Sequence, residues 1–275
     1  MPAQNPNLSP DFVHAKCVEP GPAPLKLVAF PDGFQCYTHT SVEETEFIYN
    51  EVFVKQEYLR HGLHLEDASC IFDIGANIGV FVLFAKIRNP RAVVHAFEPI
   101  PETCDVLRRN VELHRLMDVH LYNCAIGSQA AERRTFAYYP NMAGNSTATP
   151  EVKAPQLQIL EGQLGKDLTD FLFRSETRYA SVQTLSEVLE KQNIPAIDFL
   201  KIDVEGDELA VLQGIEGKHY SKIRKLIIEA HTPHLADEVR AMLSGMGFTV
   251  FTDTGLASFP GVSGICAVNT VDHRS

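Results

Sequence analysis

The 275-residue chain has no closely spaced cysteine pair, no long apolar run and no recognisable leader. Its six scattered cysteines lack CxxC or zinc-site spacing, and cysteines within apolar runs behave as small hydrophobes. No run reaches the length of a membrane span, and the N-terminus has neither the basic nor the apolar part of a signal peptide. We therefore expect a reduced, cytoplasmic protein without a membrane partner.

Basic residues are also scarce. Twenty-four Lys and Arg stand against 35 Asp and Glu, which gives a formal net charge of -11 and a pI of about 5.4. Such a chain lacks the broad basic surface that supplies most non-specific affinity for nucleic acid, so we expect no nucleic-acid partner. The 45% hydrophobic content is ample for a core, in one large α/β domain or two small ones.

Strand and helix signals alternate from residue 70 onward. Strands are predicted at 70–74, 93–97, 119–123, 197–203, 225–230, 248–253 and 264–269, and helices at 79–88, 101–115, 184–192, 206–213 and 234–246. Near-continuous apolar strands that alternate with helices predict a mostly parallel sheet covered by helices on both faces. The ending suggests a closing hairpin, with an antiparallel last strand.

Two further segments stand apart from this alternation. Residues 1–40 are rich in proline and are predicted to form an N-terminal arm, which leaves 41–275 as a single domain. Ser41 and Glu44 fit a capping box that opens a helical segment at 41–62, which we expect to form a lid. The stretch 132–180 holds a strand-like segment at 134–139, a polar loop and an uncertain remainder. We expect it to be a long irregular insertion that lines the substrate site.

The most informative motif is Asp73-Ile-Gly75-Ala-Asn77-Ile-Gly79, at the end of the first apolar strand. Glycines at a strand-to-helix turn let the backbone approach a ligand that any Cβ would block. The second strand ends in Glu98-Pro99. Together they predict a nucleotide-type site at the carboxyl edge of a parallel sheet.

The order of charges at this turn decides between two ligands. A dinucleotide fold carries G-x-G-x-x-G, which is absent here, so an NAD-dependent oxidoreductase is disfavoured. Asp73 would repel a pyrophosphate but favours a cationic ligand such as S-adenosylmethionine (SAM), which has an ammonium, a sulfonium and no phosphate. Glu98 is placed to accept hydrogen bonds from both ribose hydroxyls.

Three motifs together resemble the FkbM family of SAM-dependent methyltransferases. They are Phe72-Asp-Ile-Gly-Ala-Asn-Ile-Gly79, Ala96-Phe-Glu-Pro99, and Phe199-Leu-Lys-Ile-Asp-Val-Glu-Gly206 followed by Leu212-Gln-Gly214. The resemblance covers roughly residues 42–250. It is strongest to members found in polyketide and nonribosomal-peptide pathways.

This resemblance implies a class I methyltransferase fold, a Rossmann-like seven-stranded sheet whose last strand is antiparallel. It implies that SAM is held at its methionine end by the glycine turn and at its ribose by Glu98. The third strand should flank the adenine. The implied cofactor-binding residues are Asp73, Gly75, Asn77, Gly79, Glu98, Pro99, Asn123, Cys124, Ala125 and Asp203.

Two neighbouring strands carry the residues predicted to perform methyl transfer. By strand parity Lys201 and Asp203 share one face, as do Glu229 and His231. His231 is our first candidate for the general base because its unperturbed pKa lies near neutrality. Asp203 is expected to orient the SAM methyl end or the acceptor hydroxyl, and Glu229 to orient His231. Lys201 is equally compatible with a structural ion pair.

We expect no bound metal, but a metal-assisted mechanism remains an alternative. In it, Asp203 and Glu229 hold a divalent cation that acidifies the acceptor hydroxyl. For the acceptor itself, we expect binding residues on the lid and the insertion, namely Tyr49, Tyr58, Asn141 and Ser146.

The sequence thus predicts an O-methyltransferase acting on a hydroxyl of a small molecule, free or carrier-bound, such as a polyketide or peptide-polyketide metabolite. Alternatives are a sugar or lipid hydroxyl, a nitrogen or carbon acceptor, and a non-catalytic module that binds SAM.

Overall fold

The computed structural model describes residues 25–254 and 261–269. Within these ranges the chain forms a seven-stranded main sheet and two smaller sheets. Its strands are β1 (Lys26–Ala29), β2 (Gln35–Thr38), β3 (Cys70–Ile74), β4 (Val93–Phe97), β5 (Val119–Tyr122), β6 (Ala125–Ile126), β7 (Ala131–Tyr138), β8 (Glu176–Gln183), β9 (Ile197–Ile202), β10 (Ile223–Ala230), β11 (Phe248–Thr254) and β12 (Ser263–Asn269). Its helices are α1 (Val42–Tyr49), α2 (Val80–Arg88), α3 (Pro101–Leu113), α4 (Ala154–Leu164), α5 (Lys166–Leu172), α6 (Leu185–Lys191), α7 (Glu208–Gln213), α8 (Gly217–Tyr220) and α9 (Pro233–Gly245).

The strand order of the main sheet is β11-β12-β10-β9-β3-β4-β5. The run from β10 to β5 is parallel throughout, whereas β12 is antiparallel to both of its neighbours, β10 and β11. This confirms the predicted mostly parallel sheet with an antiparallel last strand. β12 lies one place inside the edge, and β11 is outermost.

Both faces of the sheet are covered, as predicted. In β9 every residue is buried, with Leu200 in the core on one face and Phe199 in the core on the other. Helices α6, α7 and α9 contribute to the first core and α2 and α3 to the second. Each large apolar side chain buried this way contributes roughly 1.5–3 kcal/mol. Across the described ranges, no helix is both long and apolar enough to pass through a membrane.

The region before the sheet begins with an antiparallel hairpin of β1 and β2. Residues 1–24 of the predicted arm lie outside the described residues. The predicted helical segment forms α1, a π-helical turn (Asn50–Val54) and a 3-10 turn (Glu57–Leu59). Ser41 caps α1 by accepting the Glu44 N–H at 3.0 Å. The Glu44 carboxylate accepts the Gly144 N–H at 2.8 Å, so Glu44, in the first turn of α1, ties this helix to a distant turn.

The stretch 132–180 is more regular than predicted, since the strand-like segment at 134–139 falls mostly within β7 and the remainder forms helices and a second strand. Strands β7 and β8 pair antiparallel, and β6 joins β8 to complete a three-stranded sheet. Helices α4 and α5 lie between them in sequence. Only a few apolar residues, such as Phe136, Tyr138 and Val182, face the small core of this sheet, so the sequence signal is weak.

Candidate active site

The glycine turn after β3 is shaped by its close approach to neighbouring elements. Gly75 has a φ of +80°, and a Cβ there would lie 1.7 Å from the carbonyl oxygen of Asp203. Gly79 has a φ of +90° and precedes α2, and its Cβ would lie 2.3 Å from Leu107 Cδ1. The first glycine thus lets the end of β9 reach the turn, and the second lets α3 pack beside it.

Asp73 lies behind this turn. Its side chain is fully buried, and Lys201 Nζ lies 3.0 Å from its Oδ1 and donates to the Gly75 carbonyl at 3.2 Å. Burial lowers the pKa of Lys201, but the charges of Asp73 and Asp203 outweigh it and the net pKa is raised. Asp73 therefore holds the turn through a buried ion pair at Oδ1, and its Oδ2 has no hydrogen-bond partner among the described residues. Its predicted contact with the cofactor stays a prediction.

Glu98 closes the other side of the turn. One carboxylate oxygen accepts the Asn77 N–H and the other accepts the Ile100 N–H, both at 2.9 Å. Burial raises the pKa of Glu98 to about 7. The Asn123 side-chain amide donates to the carbonyls of Glu98 and Pro99, which fixes this strand end from behind.

A narrow cavity of about 70 Å³ opens between the glycine turn and the end of β4. The predicted cofactor residues that line it are Gly75, Asn77, Glu98, Pro99, Cys124, Ala125 and Asp203. Three other predicted cofactor residues do not line it, namely Asp73, Gly79 and Asn123. Their contacts hold the turn and the end of β4 that form its wall. Burial raises the pKa of the Cys124 thiol to about 12, consistent with a packing role. Ser146, predicted on the acceptor side, lies here.

A second cavity of about 700 Å³ adjoins the first. The two share the lining residues Gly75, Asn77, Gly144, Asp203 and Glu205. Apolar side chains from the segment 41–62 and from α5 form much of its wall, namely Phe47, Ile48, Val52, Leu168, Phe171 and Leu172. Ionisable groups at the ends of β9 and β10 line the same cavity.

The structure separates the two predicted tyrosines. Tyr58 lines the large cavity, and its hydroxyl lies 3.2 Å from Asp203 Oδ2 and 3.3 Å from Glu229 Oε2. Tyr49 lines neither cavity, because it stacks on Phe30 with ring centroids 3.9 Å apart. The structure thus places Tyr49 away from both cavities, and its predicted contact with the substrate stays a prediction.

Asn141 also lies away from the candidate site. Its side-chain amide donates to the Phe171 carbonyl at 2.9 Å, and it lines neither cavity. Its amide ties the loop after β7 to α5, and its predicted contact with the acceptor stays a prediction.

Five ionisable side chains gather at the strand ends, and we call them the carboxylate–histidine cluster: Asp203, Glu205, Glu208, Glu229 and His231. His231 Nδ1 lies 2.9 Å from Glu208 Oε1, and its Nε2 lies 2.8 Å from Glu205 Oε2. Glu229 Oε1 is farther, at 3.9 Å from Nε2. Glu208, at the start of α7, thus orients His231 in place of the predicted Glu229.

These neighbours set the protonation of the cluster. Burial lowers the pKa of His231, but Glu205 and Glu208 outweigh it and raise the net pKa well above the ordinary value. Burial raises the pKa of Glu205, but His231 and Lys153 bring it down to about 2. With these partners alone, His231 carries a proton at neutral pH. It is therefore not the free general base that its unperturbed pKa suggested.

Glu205 and Glu208 were not among the predicted site residues. Glu205 lies within the quoted Lys201–Gly206 motif, so its place beside Asp203 could have been noticed. Glu208 is fully buried, and one of its oxygens accepts the Gly206 N–H at 2.9 Å. A fully buried glutamate in the first turn of a short helix has no distinguishing sequence signal.

Comparisons with known proteins agree over most of the chain. A model of the methyltransferase FkbM domain matches residues 73–250. The 31-O-demethyl-FK506 methyltransferase FkbM of Streptomyces tacrolimicus is 37% identical over 239 residues, which are 83% of this chain and 91% of the relative. The methyltransferase sdnD of Sordaria araneosa is 35% identical over 228 residues, 79% of this chain and 87% of the relative.

Among solved structures, M. capricolum TrmK in complex with its cofactor product S-adenosylhomocysteine is similar to this chain. Its TM-score is 0.45 at 12% identity, over 76% of this chain and 67% of that chain. The matched domain, 73–250, contains the glycine turn, Glu98 and every member of the carboxylate–histidine cluster.

Proposed function

We infer that this chain, which belongs to the FkbM family of SAM-dependent methyltransferases, transfers a methyl group to a hydroxyl oxygen of a small molecule. The observation that carries the proposal is the position of Asp203. It lines both adjoining cavities, and its Oδ1 is buried with no hydrogen-bond partner within 25–254 and 261–269. One carboxylate oxygen thus remains available where cofactor and acceptor would meet.

The residues around the narrow cavity fit SAM chemically. Asn77 Oδ1 is buried and has no partner among the described residues, so it can accept a hydrogen bond from an ammonium group. Glu98 faces the same cavity and offers carboxylate oxygens to a ribose. When bound, SAM supplies a methyl group on a positively charged sulfur, and the surplus of carboxylates nearby favours that charge.

The narrow cavity sets one requirement on binding. Ala143, Gly144 and Ser146 line it opposite Glu98, and the volume they leave is small for a nucleoside. We therefore propose that this turn shifts outward when adenosine enters. Glu44, which accepts the Gly144 N–H, would link that shift to α1 and to the proposed lid at 41–62.

On the acceptor side, Asp203 fixes the acceptor oxygen in line with the methyl group and a carboxylate of the cluster receives the proton. Holding two reactants in line replaces a two-body encounter and can remove several kcal/mol of the barrier. Removing the hydroxyl proton by a positioned base adds typically ~10²–10⁴-fold. A carboxylate of the cluster takes the base role first assigned to His231, because both ring nitrogens of His231 are occupied by carboxylates.

The large cavity favours a sizeable and mostly apolar acceptor. Its volume of about 700 Å³ lies within the usual range for small-molecule sites. Phe171 and Leu168 of α5 line it and are also partly exposed at 58% and 45%, so part of the acceptor can extend beyond the wall. A polyketide-type hydroxyl compound fits this description, and 31-O-demethyl-FK506, the substrate for which the Streptomyces relative is named, supports that class.

The test measures SAM binding and methyl transfer separately, by calorimetry and by formation of S-adenosylhomocysteine. The acceptor is 31-O-demethyl-FK506, followed by a panel of macrolide, sugar and amine compounds. Asp203→Asn should keep SAM affinity within a few-fold and lose at least ~100-fold in turnover. The control Asp170→Asn, on the exposed side of α5, should change neither quantity.

Two results would overturn the proposal. The first is the absence of SAM binding by the wild-type protein. The second is bound SAM with no methyl transfer to any hydroxyl in the panel, which would favour the non-catalytic SAM-binding module. Transfer to an amine alone would retain the enzyme but replace the acceptor class.

A further inference from the structure

Negative groups exceed positive groups at the floor of the large cavity. Asp203, Glu205 and Glu229 line it, and Glu208 lies directly behind His231. The positive partners are His231 itself, Lys201, which pairs with Asp73, and Lys153, which pairs with Glu205. Buried carboxylates are costly without a compensating charge, so this floor suits an additional cation.

A separate element supplies a further carboxylate. Glu51 comes from the π-helical turn, is 8% exposed and lines the large cavity. Its Oε1 is buried without a hydrogen-bond partner within the described residues. Asp203 and Glu229 line the same cavity, so the three carboxyl groups face a common space. Burial and the neighbouring carboxylates raise the pKa of Glu51 to about 8. A cation in this space would supply the partner that its Oε1 lacks.

His231 is held in the orientation of a metal ligand. Its Nδ1 faces Glu208 Oε1, which the Gly206 N–H also fixes. An Nδ1–H that donates to a carboxylate leaves the lone pair of Nε2 pointing away from it, which is the usual arrangement of a metal-bound histidine. Here Nε2 points toward Glu205 Oε2 at 2.8 Å.

The spacing of the donor atoms is suitable as well. One donor atom each from Asp203, Glu205 and His231 lies within 4.8 Å of the others. Two ligands about 2.1 Å from the same ion lie about 3 Å apart at the usual angles. Asp203 Oδ2 is engaged by Lys201 and Tyr58, which leaves Oδ1 for an ion.

We propose that Asp203, Glu205 and His231 Nε2 bind a divalent first-row cation of the Mn²⁺ type, with Glu208 orienting the imidazole. The donor set of one imidazole nitrogen and carboxylate oxygens selects such an ion over Mg²⁺, which prefers oxygen alone. The cation replaces the proton between His231 and Glu205. This proposal differs from the expectation that the site holds no metal. It also differs from the metal-assisted alternative, because Glu205 and His231 replace Glu229 beside Asp203 as ligands.

The role of the cation rests on the proposed function. The acceptor hydroxyl oxygen binds the cation, and its proton passes to a carboxylate of the cluster. The oxygen then forms a bond to the methyl carbon as the carbon–sulfur bond breaks. The electron pair of that bond stays on sulfur, which becomes the neutral thioether of S-adenosylhomocysteine. Asp203 would thus hold the acceptor oxygen through the ion.

The experiment counts Mn²⁺ bound to the chelator-treated full chain by electron paramagnetic resonance, with and without S-adenosylhomocysteine. We expect one ion per chain and a coordinated imidazole nitrogen in the pulsed spectrum. Glu208→Gln should weaken binding roughly 10–100-fold, and Asp203→Asn or Glu205→Gln should weaken it further. His219→Gln, in the separate group with Glu190 and Glu216, is the matched control and should leave this ion unchanged.

Failure of this inference is distinguishable from failure of the proposed function. If wild-type protein binds SAM and transfers methyl groups in EDTA but binds no Mn²⁺, the metal site is overturned and the function stands. Bound Mn²⁺ without a nitrogen signal, or unaffected by both Asp203→Asn and Glu205→Gln, also overturns the site. The nitrogen signal is read on wild-type protein, so a variant that fails to fold does not affect it.

Discussion

Asp73 and Lys201 are register partners on adjacent parallel strands, and their charged atoms lie 3.0 Å apart in the interior of the protein. The pair sits directly beneath the turn that lines both cavities, and Lys201 also bonds the Gly75 carbonyl. The position of the cofactor turn therefore depends on a buried ion pair.

Removing one member of this pair should be costly. Lys201→Met leaves the Asp73 carboxylate uncompensated, so we expect the free energy of unfolding to fall by about 3–5 kcal/mol. Urea titration measures it. Lys218→Met removes an exposed ion pair with Glu190 that solvent screens, so it should change stability far less than Lys201→Met. Equal losses in the free energy of unfolding for the two substitutions would show that the buried pair stabilises the protein no more than the exposed pair.

The two glycine positions Gly75 and Gly33 share a left-handed backbone but differ in surroundings. Gly75→Ala places a methyl group 1.7 Å from the Asp203 carbonyl, whereas nothing lies within 4 Å of the equivalent atom at Gly33. Gly33→Ala should cost about 1–2 kcal/mol from backbone conformation alone. Gly75→Ala should cost more and abolish SAM binding by calorimetry. Unchanged SAM affinity in folded Gly75→Ala protein would contradict the close approach described here.

The tyrosines at 49 and 58 provide a paired test of the acceptor site. Tyr58→Phe removes the hydroxyl that lies between Asp203 and Glu229, so turnover should fall roughly 10–100-fold as the two carboxylates lose their shared donor. Tyr49→Phe loses a 2.6 Å hydrogen bond to Asp32 and should cost about 1 kcal/mol of stability with normal turnover. Steady-state kinetics and thermal unfolding separate the two outcomes, and a reversed pattern would be evidence against this site.

Glu98 should make SAM affinity depend on pH. Burial raises its pKa from about 4.5 to about 7, so the free protein carries it protonated below pH 7. A ribose bound to the carboxylate then requires proton release, and SAM affinity should fall by up to about tenfold per pH unit below 7. Calorimetry on Glu98→Gln should show a flat profile, with Glu102→Gln on α3 as the control.

The same shift has a defined effect on stability. Because the folded pKa of Glu98 exceeds its unfolded value, the folded state binds the additional proton between about pH 4.5 and 7. The contribution of Glu98 to stability therefore becomes less favourable as pH rises through that window. A pH titration of wild-type unfolding against Glu98→Gln measures this difference.

Strands were predictable from sequence where burial on both faces produces continuous apolar runs. Residues 70–74 and 93–97 were predicted with their observed boundaries, and the other five strands of the main sheet within two residues. The small sheet around β7 and β8 was poorly predicted since only alternate residues, such as Ala180 and Val182, reach its core. α4 and α5 bury little and leave no clear pattern.

The site was predictable to the extent that strand ends determine it. Parity placed Asp203 and His231 at one edge of the sheet, and their proximity is confirmed. The state of His231 was not predictable, because Glu208 reaches it from the start of α7 through tertiary packing. The position of Tyr49 was not predictable, because helix phase is undefined without Phe30, which stacks on its ring. Tyr58 lies on the 3-10 turn that follows the π-helical turn.

The antiparallel insertion of β12 has a consequence for how the protein is made. β12 pairs with β10 at Glu229 and Ala230, opposite Gly264 and Ser263, and so flanks the strand that carries Glu229 and leads into His231. The chain leaves the ribosome N-terminus first. The edge of β10 that pairs with β12 therefore stays without a partner strand until residues 263–269 have emerged. We expect nascent chains shorter than this to hold an unfinished cluster and an exposed strand that chaperones would recognise.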